Sequence, residues 1–268
     1  MLDQLIDIVG RAGSDILDVY GTAFDVKSKS DDSPLTEADL RAHRVIVDGL
    51  ATIDATIPVI SEESEAPNYS VRRTWRRYWL VDPLDGTREF VNRNGEFTVN
   101  IALIEGNEPV LGIVGVPVRG DIYIGDVKKR EAFRVVGSSR HPLTTRRLGH
   151  DGITVVASRS HGGERLESYL ESLVPVFGRV DRKAMGSSLK LCLLAEGLAD
   201  FYPRLGPTSE WDIGAAQAVL QAAGGSVLQL DGSPFLYNAK ASFLNPDFFA
   251  VGDSSLNWVE LLPPMTDI

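Results

Sequence analysis

The sequence predicts a mixed α/β fold in two parts, an α+β part over residues 1–150 and an α/β part over residues 151–268. In the first part, two segments with helical periodicity precede several strand-like runs joined by short turns, which is typical of a helix pair on an antiparallel sheet. From Ile153 onwards, short apolar strands alternate with helical segments, which is typical of an α/β unit. The 268 residues are 43% hydrophobic, so the chain can bury a substantial core.

Two helices are predicted at the start of the chain. The first ends near Tyr20-Gly21, and the polar stretch from Lys27 to Pro34 is predicted to be a mobile hairpin or loop. The second begins after Thr36, because a Thr followed three residues later by an acid, Asp39, is typical of a helix N-terminus. The side chains predicted to face the core are Leu2, Leu5, Ile6, Val9, Ile16 and Leu17 in the first helix and Leu40, Val47 and Leu50 in the second.

Strands and further helices follow in two groups. In the first group, the strand-like runs are residues 97–104, 110–116 and 122–124, with turns at Gly106-Asn107 and at Arg119-Gly120-Asp121. In the second group, the pattern predicts strands at residues 154–157 and 226–228 and helices at residues 164–173, 187–197 and 212–223.

Composition limits the classes of function. The 27 Lys and Arg against 37 Asp and Glu give a net charge of −10, which argues against binding nucleic acid polymers or anionic membrane surfaces. The single cysteine, Cys192, excludes an intramolecular disulfide, indicates a reducing compartment and is predicted to be a buried packing residue. No run approaches the ~20 apolar residues of a membrane span. The chain is therefore expected to be a cytoplasmic protein.

Acidic residues follow two hydrophobic strands of the first part. Glu62 and Glu63 come directly after one apolar run, and Asp82 and Asp85 come directly after another. Mg²⁺ prefers oxygen ligands, and proteins bind it through a few carboxylates while water and substrate phosphate fill its other positions. The pattern therefore predicts metal-assisted phosphoryl chemistry.

The second acidic run has the form of a tight turn. Asp82 and Asp85 are three residues apart across Pro83, so both carboxylates and the Leu84 carbonyl can face one metal. Gly86 and Thr87 then begin a helix, whose first N–H groups are suited to hold phosphate oxygens.

Three motifs resemble, in this order, the metal motifs of the inositol monophosphatase superfamily of Mg²⁺-dependent, lithium-sensitive phosphatases. They are Ser61-Glu62-Glu63, Asp82-Pro83-Leu84-Asp85-Gly86-Thr87 and Trp211-Asp212-Ile213-Gly214-Ala215-Ala216. Within the superfamily, the runs 87–90 and 93–100 are similar to the bacterial 3'(2'),5'-bisphosphate nucleotidases of the CysQ type. The resemblance extends from the first helix to residues 242–246. It implies a layered αβαβα sandwich with the site between the two parts.

The resemblance also implies a role for each candidate residue. The implied ligands of two or three Mg²⁺ ions are Glu62, Asp82, Leu84 through its carbonyl, Asp85 and Asp212. Asp39 is implied to accept a proton from the hydroxyl of Thr87, so that this pair, with Glu62, orients and partly deprotonates the attacking water. The residues implied to hold the nucleotide and its non-reacting 5'-phosphate are His161, Ser187, Lys190 and Arg204.

Each candidate also has a simpler structural interpretation. Asp39 fits a capping box, Asp212 fits a helix N-cap, and Lys190 fits a solvated charge on a helix face. His161 can satisfy a loop, and the cluster of acids can be a solvated turn. Glu63 is predicted to lie behind the metal ligands rather than among them. Two departures from the family pattern, Ile213-Gly214 and Arg88, remove no ligand.

The resemblance implies a phosphatase that converts adenosine 3',5'-bisphosphate to AMP, with 3'-phosphoadenylyl sulfate as a further substrate, in sulfur assimilation or nucleotide recycling. An inositol or other sugar monophosphatase stays open, since it shares the metal acids without requiring Lys190 and Arg204. A non-catalytic metal- or nucleotide-binding regulator also stays open, although it need not keep Asp39 and Thr87. The expected partner is a small phosphorylated molecule, and the expected assembly is a monomer or homodimer. Peripheral association with the inner membrane is left open.

Overall fold

The computed structural model describes residues 1–28, 34–159 and 163–265. The helices in these ranges are α1 (Leu2–Tyr20), α2 (Glu37–Asp54), α3 (Tyr69–Arg72), α4 (Thr87–Val91), α5 (Glu164–Ser172), α6 (Val174–Phe177), α7 (Leu189–Ala195), α8 (Glu210–Ala222) and α9 (Trp258–Leu261). The strands are β1 (Lys27–Ser28), β2 (Pro34–Leu35), β3 (Val59–Ser61), β4 (Arg77–Asp85), β5 (Thr98–Glu105), β6 (Glu108–Val116), β7 (Asp121–Asp126), β8 (Glu131–Val136), β9 (Ser139–Pro142), β10 (Ile153–Ser158), β11 (Val180–Met185), β12 (Phe201–Arg204), β13 (Ser226–Gln229) and β14 (Phe248–Val251).

The first layer is the pair α1 and α2. α1 ends at Tyr20 and α2 begins after Thr36, as predicted, and β1 pairs antiparallel with β2 between them. The predicted core face of α2 is partly wrong, because Leu40 is exposed and Val47 is only half-buried. Small residues take that face instead, since Ala38 and Ala42 are fully buried. Leu17 of α1 is likewise exposed.

The second layer is a seven-stranded sheet in the order β3-β4-β5-β6-β7-β8-β9. β3 runs parallel to β4, and the other neighbours are antiparallel. The predicted turn between β5 and β6 is confirmed, because Gly106 and Asn107 both have positive φ, as a two-residue hairpin requires. Strands β8 and β9 extend the sheet beyond the predicted runs.

The third layer consists of α7 and α8, which lie between the first sheet and a second one. α8 contacts β4, β5, β6 and β7, and its residues share one apolar core with the inner faces of both sheets. Two glycines of the first sheet allow a close approach: a Cβ at Gly112 would collide with the Ala215 carbonyl, and one at Gly125 would collide with the backbone of Ala218 and Val219. Backbone of α8 therefore lies directly on the sheet.

The fourth and fifth layers are the second sheet and its outer helices. The sheet has the order β11-β10-β12-β14-β13, and β14 is antiparallel to both of its neighbours. Its outer face packs on α5 and α9, where Phe201 stacks on Trp258 with ring centroids 5.8 Å apart. The order helix, sheet, helix, sheet, helix is the predicted αβαβα sandwich, which is confirmed.

The division of the chain follows from this layering. The first sheet ends at Pro142 and the second begins at Ile153, while α7 and α8 pack on both sheets. A boundary near residue 150 stays a prediction. Within the described ranges, no helix combines the length and the apolar character needed to cross a bilayer.

Candidate active site

A cavity of about 240 Å³ is lined by residues from both parts of the chain. From the first part it receives the predicted residues Glu62, Asp82, Leu84, Asp85, Gly86 and Thr87, and from the second part Ser187, Lys190, Arg204 and Asp212. Asp39 does not line the cavity, but its carboxylate accepts a hydrogen bond from the Thr87 hydroxyl. Glu63 is also outside the lining. His161 lies outside the described residues.

The end of β4 forms the acidic turn. Pairing with β5 becomes irregular between Asp82 and Asp85, and Oδ1 of Asp82 accepts a hydrogen bond from the Leu84 N–H at 3.0 Å. Gly86 follows with φ at +90° and precedes α4. A Cβ at Gly86 would lie 3.2 Å from the carbonyl oxygen of Glu96, so glycine suits this position for both its φ and its space.

Asp85 belongs to the first sheet and is held by donors from both parts of the chain. Its Oδ2 accepts hydrogen bonds from the Ser188 N–H at 2.5 Å, from Asn100 Nδ2 at 3.3 Å and from Thr98 Oγ1 at 3.4 Å. The hydroxyl of Ser188 also contacts Thr98 Oγ1 at 2.8 Å and donates to Asn100 Oδ1 at 2.9 Å. These bonds occupy Oδ2 and leave Oδ1 for another partner.

The three residues that donate hydrogen bonds to Asp85 were not predicted from the sequence to have a role in the site. Thr98 and Asn100 lie two residues apart on β5, and side chains at that spacing share one face of a strand. This alternation along β5 is the sequence pattern that could have identified Thr98 and Asn100 as partners of one group. No such pattern identifies Ser188, because its contact with Asp85 depends on how α7 packs on the first sheet.

Asp212 lies in the first turn of α8. The structure corrects its predicted place as N-cap, since the N-cap is Ser209, whose N–H donates to Asp212 Oδ2 at 2.9 Å. This is a capping box, in which the acid is the third helical residue. The cap again uses one carboxylate oxygen and leaves Oδ1 in the cavity wall.

The acids of the cavity raise one another's pKa values. Burial, followed by the charges of Glu62, Asp85 and Asp212, raises the pKa of Asp82 well above its ordinary value. Burial and the charge of Asp85 raise the pKa of Asp212 to about 8, and burial raises the pKa of Asp85. Asp82 is only 1% exposed, so the solvated-turn interpretation is wrong. Carboxylates crowded in this way are stabilised in the ionised form by a cation.

Asp39 is a capping residue and also a partner of Thr87. Its Oδ2 accepts hydrogen bonds from the N–H and the hydroxyl of Thr36, both at 2.7 Å. Its Oδ1 accepts from Thr87 Oγ1 at 3.3 Å, and Thr87 Oγ1 is also 3.3 Å from the Leu84 carbonyl oxygen. The two interpretations of Asp39 are therefore compatible, because each uses a different oxygen.

Lys190 and Arg204 are buried cations in the cavity wall. Lys190 is 7% exposed, which contradicts the interpretation as a solvated surface charge. Its Nζ donates to the Ser187 carbonyl at 2.6 Å and lies 5.5 Å from the ring centroid of Tyr202, a contact that the sequence did not predict. Burial lowers the pKa of Lys190 to about 8, although the charge of Asp85 opposes the shift.

Arg204 and Ser187 also line the cavity. Arg204 is 8% exposed, and its Nη2 donates to the Pro207 carbonyl at 2.6 Å. Its Nε is buried and has no hydrogen-bond acceptor among the described residues. Ser187 is not the start of a helix as predicted, since it has φ at +46° and α7 begins at Leu189.

The donor set suits Mg²⁺. It consists of carboxylates and one carbonyl, which are the oxygen ligands that Mg²⁺ prefers. Within the described ranges, no three Asp, Glu, His or Cys side chains are arranged to hold a metal by themselves.

Comparisons with known proteins identify relatives of the whole chain. A sequence model of the inositol monophosphatase family matches residues 1–251. The 3'(2'),5'-bisphosphate nucleotidase CysQ of Escherichia coli strain K12 is 48% identical over 250 residues, covering 92% of this chain and 98% of that protein. The protein of the same name from Haemophilus influenzae is 33% identical over 259 residues, covering 96% of this chain and 95% of that one.

Solved structures give the same result. CysQ from Bacteroides thetaiotaomicron, described as a bacterial member of the inositol monophosphatase family, has a TM-score of 0.82 and 40% identity, covering 92% of this chain and 95% of that one. The suhB protein of Bartonella henselae has a TM-score of 0.78 at 21% identity, covering 99% and 98%, and shares the fold. The chain belongs to the inositol monophosphatase family.

Proposed function

We propose that this chain is a Mg²⁺-dependent phosphatase that removes the 3'-phosphate of adenosine 3',5'-bisphosphate and releases AMP and inorganic phosphate. One observation carries the proposal: a single cavity is lined both by the acids Asp82, Asp85 and Asp212 and by the buried cations Lys190 and Arg204. The name of the relatives, 3'(2'),5'-bisphosphate nucleotidase, supports it, since they match at up to 48% identity over most of the chain.

The acids hold the metal. Glu62, Asp82, the Leu84 carbonyl, Asp85 and Asp212 are the proposed ligands of two or three Mg²⁺ ions. Mg²⁺, when bound, supplies positive charge that neutralises the transferring phosphate and the leaving oxygen. Asp85 and Asp212 are each fixed through Oδ2 by a backbone N–H, so their Oδ1 atoms are oriented before any ligand arrives.

Thr87 and Asp39 act on the attacking water. The Thr87 hydroxyl donates to Oδ1 of Asp39, so its oxygen can accept a hydrogen bond from water in the cavity and take that proton as its own passes to Asp39. Oδ2 of Asp39 is fixed by Thr36, which keeps the carboxylate oriented towards Thr87. The pair therefore orients the water for in-line attack and draws off its proton, with Glu62 beside it.

The turn after β4 holds the reacting phosphate. Gly86 and Thr87 lie at the start of α4, where the first backbone N–H groups have no acceptor within the helix. These N–H groups point their partial positive charge at the phosphate oxygens.

Lys190 and Arg204 bind the non-reacting 5'-phosphate, beside Ser187. Nε of Arg204 is buried without an acceptor in the described residues, so a ligand oxygen would satisfy it. A planar guanidinium and an ammonium close together suit a second anionic group. His161 is proposed to join them. Since 3'-phosphoadenylyl sulfate differs only beyond its 5'-phosphate, we propose it as a second substrate.

The test is phosphate release from a panel of substrates. The panel contains adenosine 3',5'-bisphosphate, 3'-phosphoadenylyl sulfate, inositol 1-phosphate and fructose 1,6-bisphosphate, with AMP as a matched compound that carries only the 5'-phosphate. We expect the bisphosphate to have the highest kcat/KM, to yield AMP, and AMP itself to be inert. EDTA should stop the reaction and Ca²⁺ should restore it poorly, because Ca²⁺ takes more ligands at longer distances. Preference for inositol 1-phosphate would contradict the proposal.

A further inference from the structure

Arg72, at the end of α3, is a buried cation outside the cavity. It is 1% exposed and does not line the cavity, and its charge acts on the buried carboxylate of Glu210 without a direct salt bridge to it among the described residues. Its Nη1 donates to Asn238 Oδ1, and its Nη2 donates to the carbonyl oxygens of Lys240 at 3.2 Å and of Ala241. A buried charge is unfavourable unless hydrogen bonds and charges offset its desolvation. An apolar side chain would fill the same space without that penalty, so packing alone does not account for an arginine here.

The acceptors of Arg72 all belong to one segment, residues 237–245. Its guanidinium also lies 4.0 Å from the ring centroid of Phe243. The Asn238 side chain donates back to the Arg72 carbonyl at 2.7 Å, and the Tyr69 hydroxyl donates to the Ala239 carbonyl at 3.0 Å. The segment is therefore attached to α3, the short helix that follows Glu62 in the chain.

The same segment is bonded to the first turn of α8. The Asn238 N–H donates to Glu210 Oε2 at 2.9 Å, and the Glu210 N–H donates to the Phe243 carbonyl at 2.9 Å. Asn245 Nδ2 donates to the Ser209 carbonyl at 2.7 Å, and the rings of Trp211 and Phe243 are 5.0 Å apart. The two residues that precede Asp212 in this turn, Glu210 and Trp211, thus contact the segment that Arg72 holds.

We propose that Arg72 is a positioning residue for the metal site. Through residues 237–245 it fixes the first turn of α8, so that Asp212 stays within reach of the cation that Glu62, Asp82 and Asp85 share. This inference rests on the proposed function in one respect, the presence of a divalent cation among these acids. Groups that orient metal ligands change metal affinity by about 10- to 100-fold when they are removed.

The experiment measures metal binding directly, without substrate. Mn²⁺, which can be counted by electron paramagnetic resonance, is titrated into wild type, Arg72→Met, Arg72→Lys and Arg134→Met. Arg134 is the control, because it also joins the two parts, through Glu196 Oε1 at 3.0 Å, and does not line the cavity. We expect Arg72→Met to weaken Mn²⁺ binding by about 10-fold or more. The Mn²⁺ affinity of Arg72→Lys should lie between those of wild type and Arg72→Met, since an ammonium lacks the planar guanidinium geometry that reaches three acceptors.

Kinetics provide a second readout. In Arg72→Met, the Mg²⁺ concentration for half-maximal activity should rise by the same factor as the Mn²⁺ dissociation constant, while KM for the nucleotide at saturating Mg²⁺ changes by less than about 3-fold. Arg134→Met should leave both unchanged. If Arg72→Met does not fold, Arg72→Lys carries the test.

Three outcomes would overturn the inference. Lower thermal stability of the Arg72 variants with unchanged Mn²⁺ affinity would make Arg72 a structural residue only. An equal loss of affinity in Arg134→Met would make the effect a general one of joining the two parts. Absence of Mn²⁺ binding in wild type would remove the metal site itself, and would thereby contradict the proposed function as well.

Discussion

Oγ1 of Thr87 lies 3.3 Å from Oδ1 of Asp39, although 48 residues separate them in the chain. The contact joins the start of α4 to the start of α2, and a capping bond on Oδ2 keeps the carboxylate in place.

Thr87→Ala should therefore lower kcat by about 10²- to 10⁴-fold and change KM little, because it removes the hydroxyl that orients water but keeps the backbone N–H. Asp39→Asn should do the same, and the double variant should lose little more than either single one. Thr36→Ala is the control: it removes the hydroxyl bond to Asp39 Oδ2, at about 1 kcal/mol, but keeps the bond from the backbone N–H, so the carboxylate stays beside Thr87 and kcat should fall far less. Steady-state kinetics with thermal unfolding would check this, and losses that multiply would contradict a shared proton path.

Asp82→Asn should abolish turnover yet stabilise the protein in EDTA. Burial and the neighbouring acids raise the pKa of Asp82 in the folded protein, so its ionised form is disfavoured there at neutral pH relative to the unfolded chain. A neutral side chain removes that penalty, and each kcal/mol gained should raise Tm by about 2–4 °C. Mg²⁺ should raise the Tm of wild type but not of the variant. A variant with lower Tm in EDTA would show that Asp82 serves the fold.

Lys190→Ala and Arg204→Ala should distinguish binding of the 5'-phosphate from binding of the reacting 3'-phosphate. Loss of either charge-assisted contact should lower kcat/KM for adenosine 3',5'-bisphosphate by about 10- to 1000-fold, equivalent to about 1.4–4 kcal/mol. Adenosine 3'-monophosphate, which lacks the 5'-phosphate, should be nearly unaffected. Salt should reduce the difference, because it screens the local positive potential. Equal losses on both substrates would assign these residues to the reacting phosphate or to the fold.

The preference for the bisphosphate should depend on pH. Burial lowers the pKa of Lys190 to about 8, so its positive charge is present below that value and is lost as the pH rises through it. The ratio of kcat/KM for the bisphosphate to that for the 3'-monophosphate should therefore fall across this range. Taking the ratio cancels effects on the shared chemistry. In Lys190→Arg, whose side chain stays charged, the fall should disappear, and a fall that persists would exclude Lys190 as its cause.

Gly86→Ala should disturb the acidic turn. The left-handed φ of +90° is unfavourable for alanine by about 1–2 kcal/mol, and the new Cβ would lie 3.2 Å from the Glu96 carbonyl oxygen and 3.3 Å from Ser187 Cβ. Because the turn carries Asp85 and Thr87, activity should fall by about 100-fold. Gly137→Ala is the matched control, with φ at +58° and open space around the Cβ. It should lose similar backbone stability and keep full activity, and a Gly86→Ala enzyme with normal kcat would refute the role of this turn.

The sequence predicted the family and the layered fold, and both are confirmed. Three short motifs in fixed order carried the family prediction, which the match over residues 1–251 bears out. Hairpin and capping motifs are local, so the turn at Gly106-Asn107 and the helix start at Thr36 could each be predicted from a few residues.

Contacts between residues that are far apart in the chain could not be predicted in this way. Lys190 is the one charged residue of the otherwise apolar helix α7, and its burial follows from the sheets on both sides of that helix. The bond from Ser188 to Asp85 and the buried Arg72 likewise depend on contacts across 103 and 166 residues. The roles of the site residues stay predictions until the variants are measured.

Gly112 and Gly125 let the backbone of α8 lie directly on the first sheet. At β6 and β7 the distance between α8 and the first sheet is therefore set by main-chain contact, and this contact limits how far α8, which carries Asp212, can shift relative to that sheet. Sequence divergence in the two outer layers can alter stability while the spacing of the acids stays the same. One added methyl group at either glycine would have the opposite effect, moving half of the site away from the other half with little change in surface or composition.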